Sequence, residues 1–551
     1  MKKNVLILIG LLVSIQIYAQ VPSLQWVKDF SGPGQSMGIS IASDTSGNVY
    51  TVGNFEGLCD FDPGSDTFNL YATPVPTTTA YDIFISKLSS SGDFEWAKRV
   101  GNSSAKDFAK SIVIDQLNNL YVLGNSMYSG MFVLKLDNSG NVLWSKSCSV
   151  EGSSMQLDNS DNLYIGCEYM GTVDFDPGAG VFNLTSNGNK DVAVIKLDSV
   201  GDFVWAKSMG GADWDFGGAI AVDDIGNVYI AGEFMGSGDF DPGIGTQTLV
   251  SPSAGYTDVF ISKLNSAGDF IWGKSFGGVM SNDRLKSIGI DGLQNVYLYG
   301  GFEDSVDFDS GIGIEMLSSA GNADVFISKL DSLGNFAWVK GIGGTSYESP
   351  GDLKIDESGN VYTLGSFNLT CDFDPGPDNY EITAANFYDV FITKFNALGE
   401  YIWAGSFGGS SQEFGFGLAI DHSDNIYSTG YFHETVDFDP GAGIANLTSV
   451  GSSPSGFVHK MNYGLVGIVE NSPKTHIDLY PNPTNGIFTI AVPALPKGSI
   501  VEIYNCLGAL VYKKNITNEL NTIDLTNQTD GIYFVKIISE NQLISQKMIK
   551  Q

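Results

Sequence analysis

The chain has 551 residues, is 43% hydrophobic and 17% charged, and contains 67 glycines; this balance belongs to a folded protein with many tight turns and excludes a disordered one. Its formal charge is −33, concentrated in residues 20 to 475, which hold 21 Lys+Arg against 56 Asp+Glu, whereas residues 476 to 551 hold six of each sign. Phosphate binding needs a basic surface, so a nucleic-acid partner is disfavoured; solubility outside the cell and cation binding are the two readings of the acidity.

Residues 1–19 have the pattern of a secretory signal: Lys2 and Lys3 form a basic start, Val5 to Val13 an apolar core, and Ala19 ends a cleavage site. The apolar run is shorter than the roughly 20 residues a membrane span requires. No other stretch could span, so the mature chain is expected to lack a transmembrane segment.

From residue 20 to 463 one module recurs seven times, opened by Asp44, Asp115, Asp158, Asp223, Asp291, Asp356 and Asp421, at steps of 71, 43, 65, 68, 65 and 65 residues by subtraction. In the fourth copy, short runs rich in Val, Ile, Phe, Tyr and Trp suggest strand A near Ala219–Val222, B at Asn227–Phe234, C at Val259–Leu264 and D at Phe270–Ser275. Gly/Asp/Asn turns of hairpin length join A to B and C to D. Four antiparallel strands repeated seven times predict an all-β, seven-bladed β-propeller. The seventh module stops after its C strand, Phe457 to Met461, while Trp26-Val27-Lys28-Asp29-Phe30 stands alone before the first A strand. The N-terminal strand is therefore expected to complete the last blade. Seven tryptophans, Trp26, Trp96, Trp144, Trp205, Trp272, Trp338 and Trp403, then occupy the D strands; packing between blades is the first reading and stacking on an aromatic ligand the second. The runs Gly-Asn-Val-Tyr and Asp-Val-Phe-Ile-Ser-Lys-Leu, with the closing pairs Gly277-Gly278, Gly343-Gly344 and Gly408-Gly409, resemble the bacterial β-propeller repeats of the SBBP type. That resemblance implies the fold and says almost nothing of function.

An Asp-Phe-Asp-Pro-Gly element recurs within the modules, its carboxylates being Asp60 and Asp62, Asp174 and Asp176, Asp239 and Asp241, Asp372 and Asp374, and Asp437 and Asp439, with Asp307 and Asp309 in the variant ending Ser310-Gly311. In extended backbone both carboxylates point one way and the Phe the other. Three readings follow: a turn built on Asx hydrogen bonds and the fixed φ of Pro, a calcium site using both carboxylates and loop carbonyls, or direct contact with a ligand. Calcium is the one cofactor the sequence suggests. These loops and the D–A loops share a face, and Asp107, Asp213, Asp283 and Glu413 are expected to form an acidic funnel at a channel mouth. The second module, running directly from Gly124 to Met131, should leave a gap there.

Signals for catalysis are sparse. The four histidines, His422, His433, His459 and His476, are scattered, and Gly34-Gln35-Ser36-Met37-Gly38 matches G-x-S-x-G away from any strand-to-helix elbow. Five cysteines, an odd number, make no disulfide framework.

After a linker at 464–475, residues 476–551 change character: Tyr480-Pro481-Asn482-Pro483, Gly486, Gly508, Gly531, Tyr533, Lys536 and Lys550 mark alternating strands split by turns, which predicts a small C-terminal β-sandwich. This tail resembles the type A C-terminal sorting domain of the type IX secretion system in Bacteroidetes. The resemblance implies passage through the periplasm and outer membrane, the secretion machinery as a partner of those residues, and removal of the tail by cleavage in the linker. The expected function is a secreted or cell-surface binding or adhesion scaffold, non-enzymatic, with a glycan or a cell-surface protein as partner. The alternatives are a carbohydrate-active enzyme at the channel mouth and a structural matrix protein.

Overall fold

The computed structural model describes residues 21–73, 81–101, 106–463 apart from 252, 254 and 452, and 478–551 apart from 492–498, 506–509, 517, 519, 540 and 541. The signal segment 1–19, the linker 464–475, His476 and Gly508 lie outside the described residues. The chain divides into two compact units, Met1–Tyr463 and Gly464–Gln551.

Every described element of the first unit is a strand or a turn, and each module forms an antiparallel set of four strands. In the fourth module these are Asp215–Val222, Val228–Phe234, Asp258–Leu264 and Phe270–Gly278, paired in that order. The opening Asp explains why the A–B turn closes. Asp223 Oδ1 accepts from the Ile225 and Asn227 amides, and its Oδ2 accepts from Asn227 Nδ2 and the Tyr229 hydroxyl. The same amide and side-chain contacts recur at Asp44, Asp158, Asp291 and Asp421. Lys263 then lies over the Tyr229 ring at 4.7 Å, so one buried Asp–Asn–Tyr–Lys group fixes the blade end.

Neighbouring sets meet through their A strands, each lying against the next, and Phe414–Ile420 of the seventh module lies against Gln35–Ser43 of the first. The N-terminal strand Ser23–Phe30 pairs antiparallel with Ser455–Asn462, supplying the outer strand that the seventh module lacks. Trp26 in that strand donates from Nε1 to the Ser90 carbonyl of the first module. Trp96, Trp205, Trp272 and Trp338 repeat this contact to Asn138, Ser266, Ser332 and Ala397. Six of the seven tryptophans thus carry the inter-module packing by covering the turn glycine of the following set, as Trp26 covers Gly92, while Trp403 lies against Gly405 of its own strand.

Four strands per module understates what forms. The Asp-Phe-Asp stretch, expected as a loop, starts a short hairpin: Ser237–Asp239 pairs with Thr248–Val250, and equivalents stand at Leu58–Asp60, Thr172–Asp174, Ser305–Asp307 and Thr435–Asp437. The D–A loop is correspondingly shorter than expected, because its glycines belong to the D strand. Gly210 and Gly211 pair with Asp239 and Gly238 of the next module, and Gly277, Gly343 and Gly408 do likewise with Asp307, Asp372 and Asp437. Four of the six hairpins therefore extend the sheet of the module before them, whereas Thr172–Asp174 with Asn183–Thr185 stands as a two-stranded sheet of its own and Leu58–Asp60 meets the N-terminal segment through the single bridge Ser31–Asp60.

In the second unit, Asp478–Tyr480, Ile487–Ala491 and Leu520–Asp524 form one sheet, and Leu510–Asn515, Ile500–Asn505, Gly531–Ser539 and Gln542–Lys550 another. Phe488, Ile490 and Ile523 of the first sheet share one core with Val501, Ile503, Val535 and Met548 of the second.

Candidate functional site

The Asp-Phe-Asp hairpins are built from their aromatic residue. Phe61, Phe175, Phe240, Phe308, Phe373 and Phe438 are all fully buried, and Phe240 packs at 4.5 Å on Phe260 and 5.2 Å on Phe234. With Phe inward, the first carboxylate turns onto its own loop: Asp239 Oδ1 accepts from the amides of Asp241 and Gln247. Asp241 Oδ1 accepts from Gly243, an Asx turn. The same bonds recur at Asp60, Asp174, Asp307, Asp372 and Asp437, and at Asp62, Asp176, Asp309, Asp374 and Asp439. These carboxylates thus hold backbone amides of their own hairpins, which supports the turn reading. Among the described residues no group of three or more His, Cys, Asp or Glu side chains is placed to hold a metal ion.

The hairpin tips carry a feature the sequence reading passed over. Val181, Ile244, Ile312, Ile314 and Ile444, each five or seven residues beyond the first Asp of an Asp-Phe-Asp element, are at least 74% exposed. The signal was an apolar residue inside a Gly-rich turn, where nothing in the turn chemistry requires one.

The expected acidic funnel does not form as drawn. Asp107, Asp283 and Glu413 are buried, and Asp213 alone of that set is exposed; each buried acid begins or immediately precedes an A strand and is covered by the neighbouring module. The central cavity, about 1070 Å³, is instead lined by the A strands. It mixes Lys110, Lys286 and Lys354 with Glu168, Glu233 and Asp352, Lys354 bonding Asp352 at 2.7 Å. Burial pushes the Glu233 carboxyl up to about 7, opposed by an amide bond from Leu285 and the charge of Arg284. Burial also raises Glu168, which pairs with Lys190 at 2.8 Å.

The remaining candidates are structural. Ser36 of the G-x-S-x-G match is buried, accepting from the Gly456 amide and donating to the Phe30 carbonyl. His459 is buried between Ser428 and the Phe438 carbonyl, and burial lowers it to about 4. Cys59, Cys148, Cys167 and Cys371 are free and buried. The absence of a pair among them follows from their role as small apolar core residues.

In the tail, Asn482 ties the Tyr480–Pro483 segment to the last strand by accepting from the Ile549 amide and donating to the Lys547 carbonyl. Lys550 pairs with Asp530 at 2.6 Å, Lys536 lies 4.9 Å over the Tyr504 ring, and buried Tyr533 donates to the Thr529 carbonyl. Gly486 lies at φ +115 and its carbonyl accepts from Leu525, while Gly531 opens the strand Gly531–Ser539. No helix among the described residues is long and apolar enough to cross a membrane.

The fold and the tail together define an exported protein of the β-propeller class. Residues 478–551 match the family described as "Secretion system C-terminal sorting domain", and residues 95–126 the "Beta-propeller repeat" of the SBBP type. The chain therefore carries an SBBP repeat and a type IX sorting domain, and its destination is the cell surface or the exterior by way of the periplasm. Among curated proteins it is 26% identical over 358 residues to an uncharacterized WD repeat-containing protein of Acanthamoeba polyphaga mimivirus, covering 52% of this chain and 25% of that one. It is 29% identical over 189 residues to the regulatory protein FlaEY of Caulobacter vibrioides, covering 34% and 18%. The chain thus spans about a quarter or less of these relatives. Among solved structures, BamB from Moraxella catarrhalis has a TM-score of 0.34 at 11% identity, covering 77% of this chain and 96% of that one. The plexin A4 extracellular region has a TM-score of 0.37 at 9% identity, covering 95% and 61%.

Proposed function

We propose that the first unit is a closed, seven-bladed propeller acting outside the cell as a non-enzymatic binding scaffold. The pairing of Ser23–Phe30 with Ser455–Asn462 and the seating of the seventh A strand on the first support closure. The observation that carries binding is the set of aliphatic tips, Val181, Ile244, Ile312 and Ile444, raised on anchored hairpins above an acidic surface. Rigid loops displaying apolar residues that the fold itself does not need are the usual seat of partner contact. The tip residues are aliphatic, and the part-exposed Phe68, Phe182 and Tyr380 of the same hairpins are packed on Phe94, Phe203 and Tyr401, which favours a cell-surface protein over a glycan. The test is retention of the full chain on intact cells, beside a glycan array. Ile244→Asp with Ile312→Asp and Ile444→Asp is expected to reduce cell retention at least tenfold without changing the melting temperature. Undiminished retention of that variant, or binding confined to the glycan array, overturns the reading.

The central cavity favours a second reading, a carbohydrate-active enzyme, because burial there pushes the Glu233 carboxyl up to about 7 and the charge of Glu168 adds to the rise. Turnover of any panel glycan that disappears in Glu233→Gln supports that reading.

A further inference from the structure

Behind four of the hairpins, where consecutive sheets meet, a second set of acids faces inward. The first residue of a C strand and the acid at the start of the next A strand are brought together by one backbone bond: the Asp215 amide donates to the Lys190 carbonyl, Asp283 to Thr257, Glu348 to Ala323 and Glu413 to Tyr388. This sets Asp191 beside Asp215, Asp258 beside Asp283, Asp324 beside Glu348 and Asp389 beside Glu413, all eight residues between 0 and 5% exposed. Each carboxylate leaves one oxygen without a hydrogen-bond partner: Oδ1 of the aspartates and Oε1 of Glu348 and Glu413. Bonds from Gly211, Gly278, Gly344 and Gly409 occupy the other oxygen of the A-strand acids. A Cβ at Gly210 would lie 2.5 Å from Asp215 Oδ2 and 3.0 Å from Asp191 Oδ1, so the two carboxylates flank a single point roofed by that glycine. No hydrogen bond joins the two carboxyls of a pair; they act on one another through charge.

The repeats supply an internal control. At the junction of the first and second modules the equivalent pair is Asp82 and Asp107, and there Arg99 reaches Asp82 Oδ2 at 2.9 Å. In the four other acid pairs the position of Arg99 is taken by Ser208, Ser275, Gly341 and Ser406, and none of their eight carboxylates is in an ion pair among the described residues. Where one acid is lost, both are: Gly130 faces Val150, and Ser455 faces Ser36. The two carboxylates are present or absent as a unit, and the one protein cation stands where its neighbours have a small residue.

Two buried carboxylates that neither bond one another nor meet a basic side chain cannot both ionise without a countercharge. We propose that the pairs Asp191–Asp215, Asp258–Asp283, Asp324–Glu348 and Asp389–Glu413 each bind a divalent cation between adjacent blades, with calcium the ion that a donor set of carboxylate oxygens fits. Backbone carbonyls and water complete the six to eight oxygens calcium takes. These sites lie apart from the hairpin tips and do not depend on the partner proposed for them.

The full chain, stripped with a chelator, is titrated with calcium chloride by calorimetry and followed by thermal melting. Four equivalents binding at or below ~1 mM, with a rise in melting temperature by mass action, is the expected result. Asp258→Asn with Asp283→Asn loses one equivalent, whereas Asp239→Asn with Asp241→Asn in the hairpin keeps all four. Should the first variant not fold, Ser275→Arg places a guanidinium as Arg99 does; it also loses one equivalent, and it melts higher than the wild type without calcium. No binding at millimolar calcium, or full stoichiometry in Ser275→Arg, overturns the proposal. So does a melting temperature that rises on acidification and ignores calcium, which would mean that each pair holds a proton instead.

Discussion

At the scale of single residues, the carboxyl groups between blades make stability depend on pH in an unusual direction. Burial is the first cause at each: it raises Asp258 and Asp389 to about 6, Asp215 and Asp283 to about 7, and Glu348 and Glu413 to about 8. The charges facing them are acidic, namely Asp191 and Asp213 on Asp215, Asp258 on Asp283, Asp324 on Glu348, and Asp389 and Glu434 on Glu413. A carboxyl whose folded value exceeds its unfolded one, near 4, contributes stability below that unfolded value and loses it as pH rises through the folded one. Without calcium, the melting temperature should therefore fall as the pH rises from about 4 to 8, from the unfolded value to the highest folded one, and saturating calcium should flatten the profile by replacing the proton. Circular dichroism melts from about pH 4 to 9 with and without calcium check this; a calcium-free profile that does not fall across that window contradicts it. Asp223 behaves differently, because its oxygens accept from four donors of one turn. Asp223→Ala strands those donors in a buried turn and should cost about 2–3 kcal/mol, measured by chemical denaturation.

At the scale of elements, the hairpins show what a linear chain reveals and what it conceals. Alternating Val/Ile/Phe runs and Asp-x-x-Gly-Asn turns are local, so the four strands of a module and the order of their pairing were legible. The pairing of Gly210 with Asp239 was not, since it joins residues of different modules and Asp-Pro-Gly has sufficient turn chemistry of its own. For the same reason Asp283 and Glu413 looked like loop acids. Their partners Asp258 and Asp389 lie about one strand pair away in sequence, and only the crossing of blades makes them neighbours. The calcium sites proposed between the blades thus use acids that the period contained but no local motif marked. The hairpin itself is held by its Phe. Phe240→Ala removes a fully buried ring and should destabilise by about 3–5 kcal/mol. Asp241→Asn, losing charge but keeping an acceptor for the Gly243 amide, should change stability by less than about 0.5 kcal/mol. Equal losses in denaturant midpoints for the two would refute an aromatic anchor.

At the scale of the whole molecule, the two ends of the first unit meet in one sheet, and this makes its stability collective. Removing residues 21–31 deletes the strand paired to Ser455–Asn462, together with the Trp26 bond to Ser90. In a ring each set has two neighbours, so losing one junction should lower the single melting transition of the propeller and not merely fray an edge; an unchanged cooperative melt would sink the closed ring. The tail predicts the opposite behaviour. Among the described residues, its core runs from Leu479 to Met548 and its strands form two sheets. Deleting residues 476–551 therefore leaves every sheet of the first unit intact while removing the sorting domain. The truncated protein should melt at the same temperature as the propeller of the full chain, yet accumulate in the periplasm. Fractionation of cells and medium decides the point: truncated protein at the cell surface or in the medium at normal levels would show that the address lies elsewhere in the chain.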